Sequence, residues 1–99
     1  MMQIARPPDG FRISLAETVE KMRDAECASR PDFERHWGDL LEYLKMVGHR
    51  VGTLEPRLGN GCRLFAREAD PEYGTPRIVV GYLPLGRELS IRWMLVSDS

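Results

Sequence analysis

The hydrophobic pattern of this chain changes its period once, near the turn Gly59-Asn60-Gly61. Before this turn, apolar residues recur every three or four positions, which is typical of helices that cover a core with one face. After it, apolar and polar residues alternate, which is typical of strands. Helices followed by strands indicate an α+β fold. Since 99 residues leave room for one core, residues 1–99 are predicted to form a single domain.

Residues 14–49 are predicted to form a helix hairpin. The first helix starts with a capping box, in which the Ser14 hydroxyl and the Glu17 carboxylate each accept a backbone N–H of the first turn, and it ends near Cys27. Its apolar stripe consists of Leu15, Val19 and Met22. The short link Ala28-Ser29-Arg30 should turn the chain back and make the two helices antiparallel.

The second helix has the clearest pattern in the chain. Pro31 suits its first turn, and Gly48 suits a left-handed residue that ends it. Its apolar positions form a wide face, made of Phe33, Trp37, Leu40, Leu41, Leu44 and Val47. His36 lies beside this face and His49 at the helix end, positions more typical of boundary or capping residues than of a general base.

The other segments are predicted to be extended. Residues 1–13 are expected to be an extended segment, with an edge strand at about Met2–Ala5. Residues 62–96 contain three alternating runs with short connections, which favour an antiparallel meander. In the last run, one face is predicted to carry Leu89, Ile91, Trp93 and Leu95. The expected architecture is a helix hairpin packed on a three- to four-stranded antiparallel sheet.

The composition excludes several classes of protein. The formal net charge is −1, so the chain lacks the basic footprint of an obvious nucleic-acid binder. No apolar stretch approaches the ~18 residues of a membrane span, and the start does not resemble a signal peptide, so we expect no membrane partner. Cys27 and Cys62 are lone thiols, which indicates a cytoplasmic protein. With the two histidines they lack the close pairing of zinc ligands, so we expect no metal and no cofactor.

Basic residues in the predicted meander form a candidate site, which consists of Arg63, Arg67, Arg77 and Arg92. If the strands are adjacent, the guanidinium groups converge on the side of the sheet away from the helices, which we call the arginine face. Guanidinium groups match phosphate oxygens bidentately, and the nearby rings of Phe65 and Tyr73 can stack on bases. The alternative is a solvated face whose arginines pair with Glu68 and Glu88.

The order of these elements and two short motifs resemble the RelE/ParE superfamily of bacterial toxins. In the first motif, Leu44-Lys45-Met46-Val47-Gly48-His49-Arg50, a helix ends at glycine. In the second, a leucine-glycine turn leads into an arginine-bearing strand over residues 58–67, and the strand opening with Arg77-Ile78-Val79-Val80 is similar to the family's next strand. The resemblance implies a toxin module that either cleaves messenger RNA on the ribosome, as RelE-like members do, or inhibits DNA gyrase, as ParE-like members do.

For RNA cleavage, the resemblance implies that the catalytic residues are Arg63, Arg67 and Arg77. Their guanidinium groups would stabilise the pentavalent phosphate. Since arginine is a poor proton shuttle, proton transfer would depend on Tyr73, Glu68 or His49. The binding residues would be Phe65, Tyr73 and Arg92. The implied partners are RNA with the ribosome, and an antitoxin whose disordered tail wraps the sheet or the helices.

Two features favour a different class of function. The chain ends at residues 96–99 without the basic or aromatic residues that RNA-cleaving members carry after the last strand, and its net charge is near neutral. The alternative is a non-catalytic protein-binding module, an inhibitor or adaptor of the kind that mobile elements carry. A third interpretation is a structural domain whose sheet dimerises edge to edge, because the sequence does not determine the oligomeric state.

Overall fold

The computed structural model describes residues 9–98, which form one helical layer and one sheet. The strands are β1 (Arg12–Leu15), β2 (Thr53–Leu54), β3 (Arg63–Arg67), β4 (Arg77–Leu85) and β5 (Glu88–Ser97), and the helices are α1 (Glu17–Ser29) and α2 (Phe33–Val47). Two short 3-10 helices, Pro56–Leu58 and Pro71–Tyr73, lie in the connections before β3 and β4. The edge strand expected at Met2–Ala5 lies outside the described residues. Within the described range, neither helix is long and apolar enough to cross a membrane.

The sheet has five strands in the order β1-β5-β4-β3-β2, and it is mixed rather than antiparallel. β3, β4 and β5 form the predicted antiparallel meander. The first strand, β1, pairs in parallel with β5, and the two-residue β2 pairs with the start of β3. The α+β class is therefore confirmed, while the strand number and the purely antiparallel sheet are not.

The predicted capping box at Ser14 is wrong. Ser14 lies in the middle of β1, and α1 begins only at Glu17 after an extended Ala16 that makes no side-chain cap bond. The physical reason is burial: as a strand, β1 packs Ile13 and Leu15 against the core and pairs them with Leu89 and Ile91. Two partly buried aliphatic side chains together with the hydrogen bonds to β5 outweigh one capping bond, which contributes about 1 kcal/mol.

The two helices follow each other through a tight link but form only a loose hairpin. α1 ends at Ser29, slightly beyond the predicted end near Cys27, and α2 starts two residues after Pro31. Asp32 between them adopts a left-handed conformation with φ 64°, which Asp tolerates better than most residues. α1 packs against β5 more extensively than against α2, so α1 is held mainly by the sheet.

Gly48 is not the left-handed residue that the sequence predicted. Its φ is −58° and its ψ is −24°, in the right-handed helical region. The position requires glycine for space instead, because a Cβ built there would lie 2.5 Å from Cδ1 of the buried Leu89 and 2.6 Å from the carbonyl oxygen of Leu44. Gly48 therefore lets the end of α2 approach β5 closely.

The core lies between the helices and one side of the sheet, which we call the helix-covered face. Its helical residues are Val19, Phe33, Trp37, Leu40 and Leu44. Its sheet residues are Ile78, Val80, Tyr82, Leu89, Ile91 and Met94, with Phe11 closing the edge beside β1. The opposite side of the sheet, the open face, is covered by neither α1 nor α2, and only the 3-10 helix Pro56–Leu58 lies against part of it among the described residues.

A β-bulge in β5 changes which residues reach the open face. Gly81 pairs with Trp93 and the next residue, Tyr82, pairs with Ile91, so Arg92 is an extra residue without an opposite partner. Past this point the alternation is reversed: Met94 is buried in the core, while Trp93 and Leu95 lie on the open face. The prediction that Trp93 and Leu95 share a face with Leu89 and Ile91 is therefore wrong.

Two glycines at the same helix provide a matched stability test. Gly48→Ala should lower the free energy of unfolding by about 1–3 kcal/mol, because the methyl group overlaps Leu89 and a backbone carbonyl that cannot easily move. Gly38→Ala should raise it by roughly 0.5–1 kcal/mol, because that position is inside α2 and a Cβ there meets nothing within 4 Å. Urea unfolding followed by circular dichroism measures both; equal effects of the two substitutions would contradict the packing argument.

Candidate functional site

The register of the sheet places the arginines of β3 on the helix-covered face. Arg63 pairs with Tyr82 and Arg67 pairs with Ile78, and both partners are core residues beneath the helices. Phe65, between them, pairs with Val80 and packs against the same core. Directly paired residues share a side of the sheet, so these three side chains do not lie on the open face.

The other two arginines lie elsewhere, so the predicted arginine face is wrong. Arg77 precedes the core residue Ile78 by one position and therefore points to the opposite side, where its Nε lies 3.1 Å from Oε2 of Glu68. Arg92 occupies the bulge, is exposed, and its Nε lies 3.4 Å from the Ser90 hydroxyl. The four guanidinium groups are thus divided between the two sides of the sheet, and their catalytic and binding roles stay predictions.

Arg63 belongs to a network that holds the chain after α2. Its guanidinium group donates to the carbonyls of Val51 at 2.9 Å and Gly52 at 3.1 Å. The fully buried Tyr82 hydroxyl lies 2.7 Å from the Gly48 carbonyl oxygen and 3.0 Å from that of Val51. Burial raises the pKa of Tyr82 to about 12, and the nearby positive charge of Arg63 opposes that rise. Arg63 therefore has a structural function in this fold.

Three of the predicted residues meet in a cleft between α2 and β3, which we call the α2–β3 cleft. It consists of two adjoining cavities of about 330 and 480 Å³ that share Asp39 and Arg67. Phe65 lines the first cavity, Tyr73 lines the second, and Arg67 lines both. The half-buried Arg67 is fixed by a hydrogen bond of 3.1 Å from its Nη1 to the carbonyl oxygen of His36.

The smaller cavity is mainly apolar. The Tyr43 and Phe65 rings stack with centroids 5.6 Å apart, and Leu40 completes the wall. Tyr43 follows Leu40 by three positions and Asp39 by four, so one side of the helix supplies Asp39, Leu40 and Tyr43. Tyr43 is 49% exposed, so an aromatic surface remains accessible at the mouth.

The larger cavity is polar and of mixed charge, and it is lined by Arg35, His36, Asp39, Arg67, Glu68, Asp70, Tyr73 and Thr75. The buried His36 and the 74% exposed Tyr73 lie at opposite extremes of accessibility. Tyr73 ends a 3-10 turn that Asp70 stabilises by accepting the Glu72 N–H at 3.2 Å. No group of three His, Cys, Asp or Glu among residues 9–98 could hold a metal ion.

Sequence reasoning missed the α2 contribution to this cleft. Arg35, Asp39 and Tyr43 recur every four positions, directly beside the apolar stripe of the helix. That spacing predicts a shared side of α2, but it does not reveal that β3 lies opposite it.

The open face is apolar. One row across three strands consists of Leu64, Gly81 and Trp93, and the next consists of Ala66, Val79 and Leu95. Trp93 is 38% exposed and Leu95 is 44% exposed. Leu58 lies over Gly81, where a Cβ would meet its Cδ1 at 2.7 Å. The absent side chain at Gly81 therefore lets Leu58 pack onto the sheet, and a cavity of about 320 Å³ is lined by Leu58, Leu64 and Trp93.

Comparison with known proteins found no match among family models, curated proteins or solved structures.

The raised pKa of Tyr82 predicts a loss of stability in alkali. Tyrosine in the unfolded chain ionises near pH 10, so between pH 10 and about 12 the unfolded state releases a proton that the folded state retains. The free energy of unfolding should be unaffected by this group below pH 10 and should fall as the pH rises through about 12. Phenolate absorbance should reveal one late-titrating tyrosine, which Tyr82→Phe removes; a wild-type titration without a late phase would contradict the assignment.

Proposed function

We propose that this chain is a small protein-binding module that docks its partner on the open face of the sheet. The observation that carries the proposal is the position of Trp93 and Leu95, which the bulge at Arg92 moves out of the core and onto that face. Two large apolar side chains that stay 38% and 44% exposed forgo part of their burial energy, which is about 1.5–3 kcal/mol for a large apolar side chain buried completely. Contiguous exposed apolar surface of this kind is typical of interaction sites.

The charges around this face indicate the chemistry of the partner. Arg92 lies next to Trp93, Arg77 lies at the end of the apolar rows, and Arg57 adjoins Leu58. Arg57 and Arg77 are paired with Glu55 and Glu68 in solvent-accessible ion pairs, which contribute little and exchange easily. Arg92 makes no carboxylate contact within residues 9–98. A partner with an apolar centre and acidic groups at its rim fits this arrangement, since Trp and Arg are enriched at interface hot spots.

The resemblance to the RelE/ParE superfamily supports the same proposal. The element order on which it depends is a first strand, two helices, a glycine-containing link and an antiparallel meander. The first strand expected at Met2–Ala5 lies outside the described residues, and the other elements follow in that order. Of the two activities that the resemblance implies, action on a protein target suits an apolar face better than RNA binding does, because a phosphate backbone requires several convergent cations.

Trp93→Arg tests the docking face, and Met22→Arg is its matched control, because Met22 is 41% exposed on α1, away from the open face. A photo-reactive residue replacing Leu95 should form one defined protein adduct in the source cells, and a photo-reactive residue at Lys21 should not. The identified partner, once purified, should bind the wild-type chain at least about tenfold more tightly than Trp93→Arg, with Met22→Arg unchanged.

Circular dichroism of both variants confirms that the fold is retained. No specific adduct at position 95, or equal affinity of the Trp93→Arg and Met22→Arg chains for the adduct partner, would contradict docking at the open face.

A second candidate function, RNA cleavage, is favoured by the α2–β3 cleft. Three residues predicted for RNA binding or catalysis, Phe65, Arg67 and Tyr73, meet there with His36. Arg67 uses one N–H for the His36 carbonyl, which leaves guanidinium donors for a phosphate, and the accessible Tyr43 and Tyr73 rings can stack on unpaired bases.

In this second case, ribosome-dependent cleavage of messenger RNA should be lost in Arg67→Ala. Arg23→Ala should retain cleavage, because Arg23 lies on α1, pairs with Asp24 and does not line the cleft. Primer extension on transcripts from expressing cells measures both. Growth arrest with intact transcripts, or equal loss in the two variants, would reject the cleft as a nuclease site.

A further inference from the structure

The outer edge of β3 is only partly occupied. β2 pairs with Leu64 and Arg63 and ends there, so the rest of β3 has no neighbouring strand on that side within residues 9–98. The hydrogen bonds between β2 and β3 also show which backbone groups of β3 point away from β4. The Glu55 N–H donates to the Cys62 carbonyl at 2.8 Å, and backbone direction alternates along a strand. Cys62, Leu64 and Ala66 therefore direct their N–H and C=O groups away from β4.

Ala66 consequently presents an N–H and a C=O at an open edge. Neither group has a hydrogen-bond partner among the described residues. The chain itself cannot fill the position, because Val51, which would be next in register, is already engaged. Its N–H donates to Val47 in α2, and its carbonyl accepts from Arg63 and Tyr82. The small Ala66 side chain does not shield the edge, whereas exposed edges are commonly protected by lysine, proline or a bulge.

The α2–β3 cleft lies beside this edge on the helix-covered face. A strand added next to Ala66 would direct alternate side chains to that side, about 7 Å apart. One would reach the apolar cavity of about 330 Å³ formed by Leu40, Tyr43 and Phe65. A cavity of about 150 Å³ is enough for a benzene ring, so this one admits an aliphatic or aromatic side chain. The next would reach the polar cavity on the other side of Arg67.

We propose that the β3 edge at Ala66 binds an extended peptide segment of a partner protein by strand addition. A large apolar side chain of the peptide fills the cavity between Tyr43 and Phe65, and a polar side chain two residues away enters the cavity at Arg67 and Tyr73. Main-chain hydrogen bonds to Ala66 supply affinity, and the two cavities supply specificity. This site goes beyond docking at the open face. It uses the backbone edge of Ala66, whose side chain lies on that face, together with residues of the α2–β3 cleft.

Amide hydrogen exchange of the full chain tests the free edge first. The Ala66 N–H should exchange at least about a hundredfold faster than the N–H groups of Phe65 and Arg67, which bond to β4. Slow exchange at Ala66 would show that the edge is already satisfied and would overturn the proposal.

Phage-displayed random linear peptides selected on the full chain are the binding probe. Enriched peptides should carry a large apolar residue two positions from a polar one, and bound peptide should slow exchange at Ala66. Ala66→Pro removes the outward N–H without removing a β4 bond, so affinity should fall about tenfold or more, while Ala66→Val should bind like the wild type. Tyr43→Ala should also weaken binding, and Trp93→Arg, which tests the open face, should not.

Peptides methylated at single backbone nitrogens keep the test decisive if Ala66→Pro does not fold. Methylation at alternate positions should abolish binding, and methylation at the positions between should be tolerated, since only every second amide of an added strand faces Ala66. No enriched peptide, equal binding to Ala66→Pro and Ala66→Val, or indifference to the position of methylation would each overturn strand addition.

Discussion

The buried hydroxyl of Tyr82 is the interaction on which the arrangement of both surfaces depends. It lies in the middle of the sheet and binds the carbonyls of Gly48 and Val51, so it ties the end of α2 to β4. Arg63 reinforces the contact by donating to the same Val51 carbonyl. With the end of α2 fixed there, the helix lies over β3 and forms the cleft. The segment that follows α2 is held by the same contacts, so only Thr53 and Leu54 pair with β3, at Leu64 and Arg63.

Much of the fold could be predicted because its signals are local. The stripe of α2 and the alternation of the meander are both read within a window of about 10–18 residues, and both are present in the structure. The predicted helix start at Ser14 is wrong because the interaction that decides its structure is not local. Ser14 and Glu17 satisfy a local helix rule, but Ile13 and Leu15 gain more by pairing with β5, more than seventy positions away in the sequence.

The side of the sheet to which each β3 side chain points could not be predicted from local sequence patterns. Leu64 and Ala66 alternate with Arg63, Phe65 and Arg67, and an apolar-inward assumption directs the first set to the core. The structure does the reverse: Phe65 packs inward, while the arginines bury their stems and donate to carbonyls at the helix boundary. The ring of Phe65 was the one signal for this orientation. The convergence of Arg67 with Tyr73 and α2 depends on long-range packing, which no short motif encodes.

The extra residue at Arg92 has a consequence for how such a surface can arise. The side chains that follow it in β5 alternate in the opposite sense to those before it. If the strand were one residue shorter, Trp93 and Leu95 would point to the helix-covered face, and Met94 and Val96 would point to the open face. A single-codon deletion there would therefore replace Trp93 and Leu95 on the open face by Met94 and Val96, which reshapes the exposed apolar surface without any change of residue type. In this architecture, the choice of binding partner can shift through one reading-frame-preserving event.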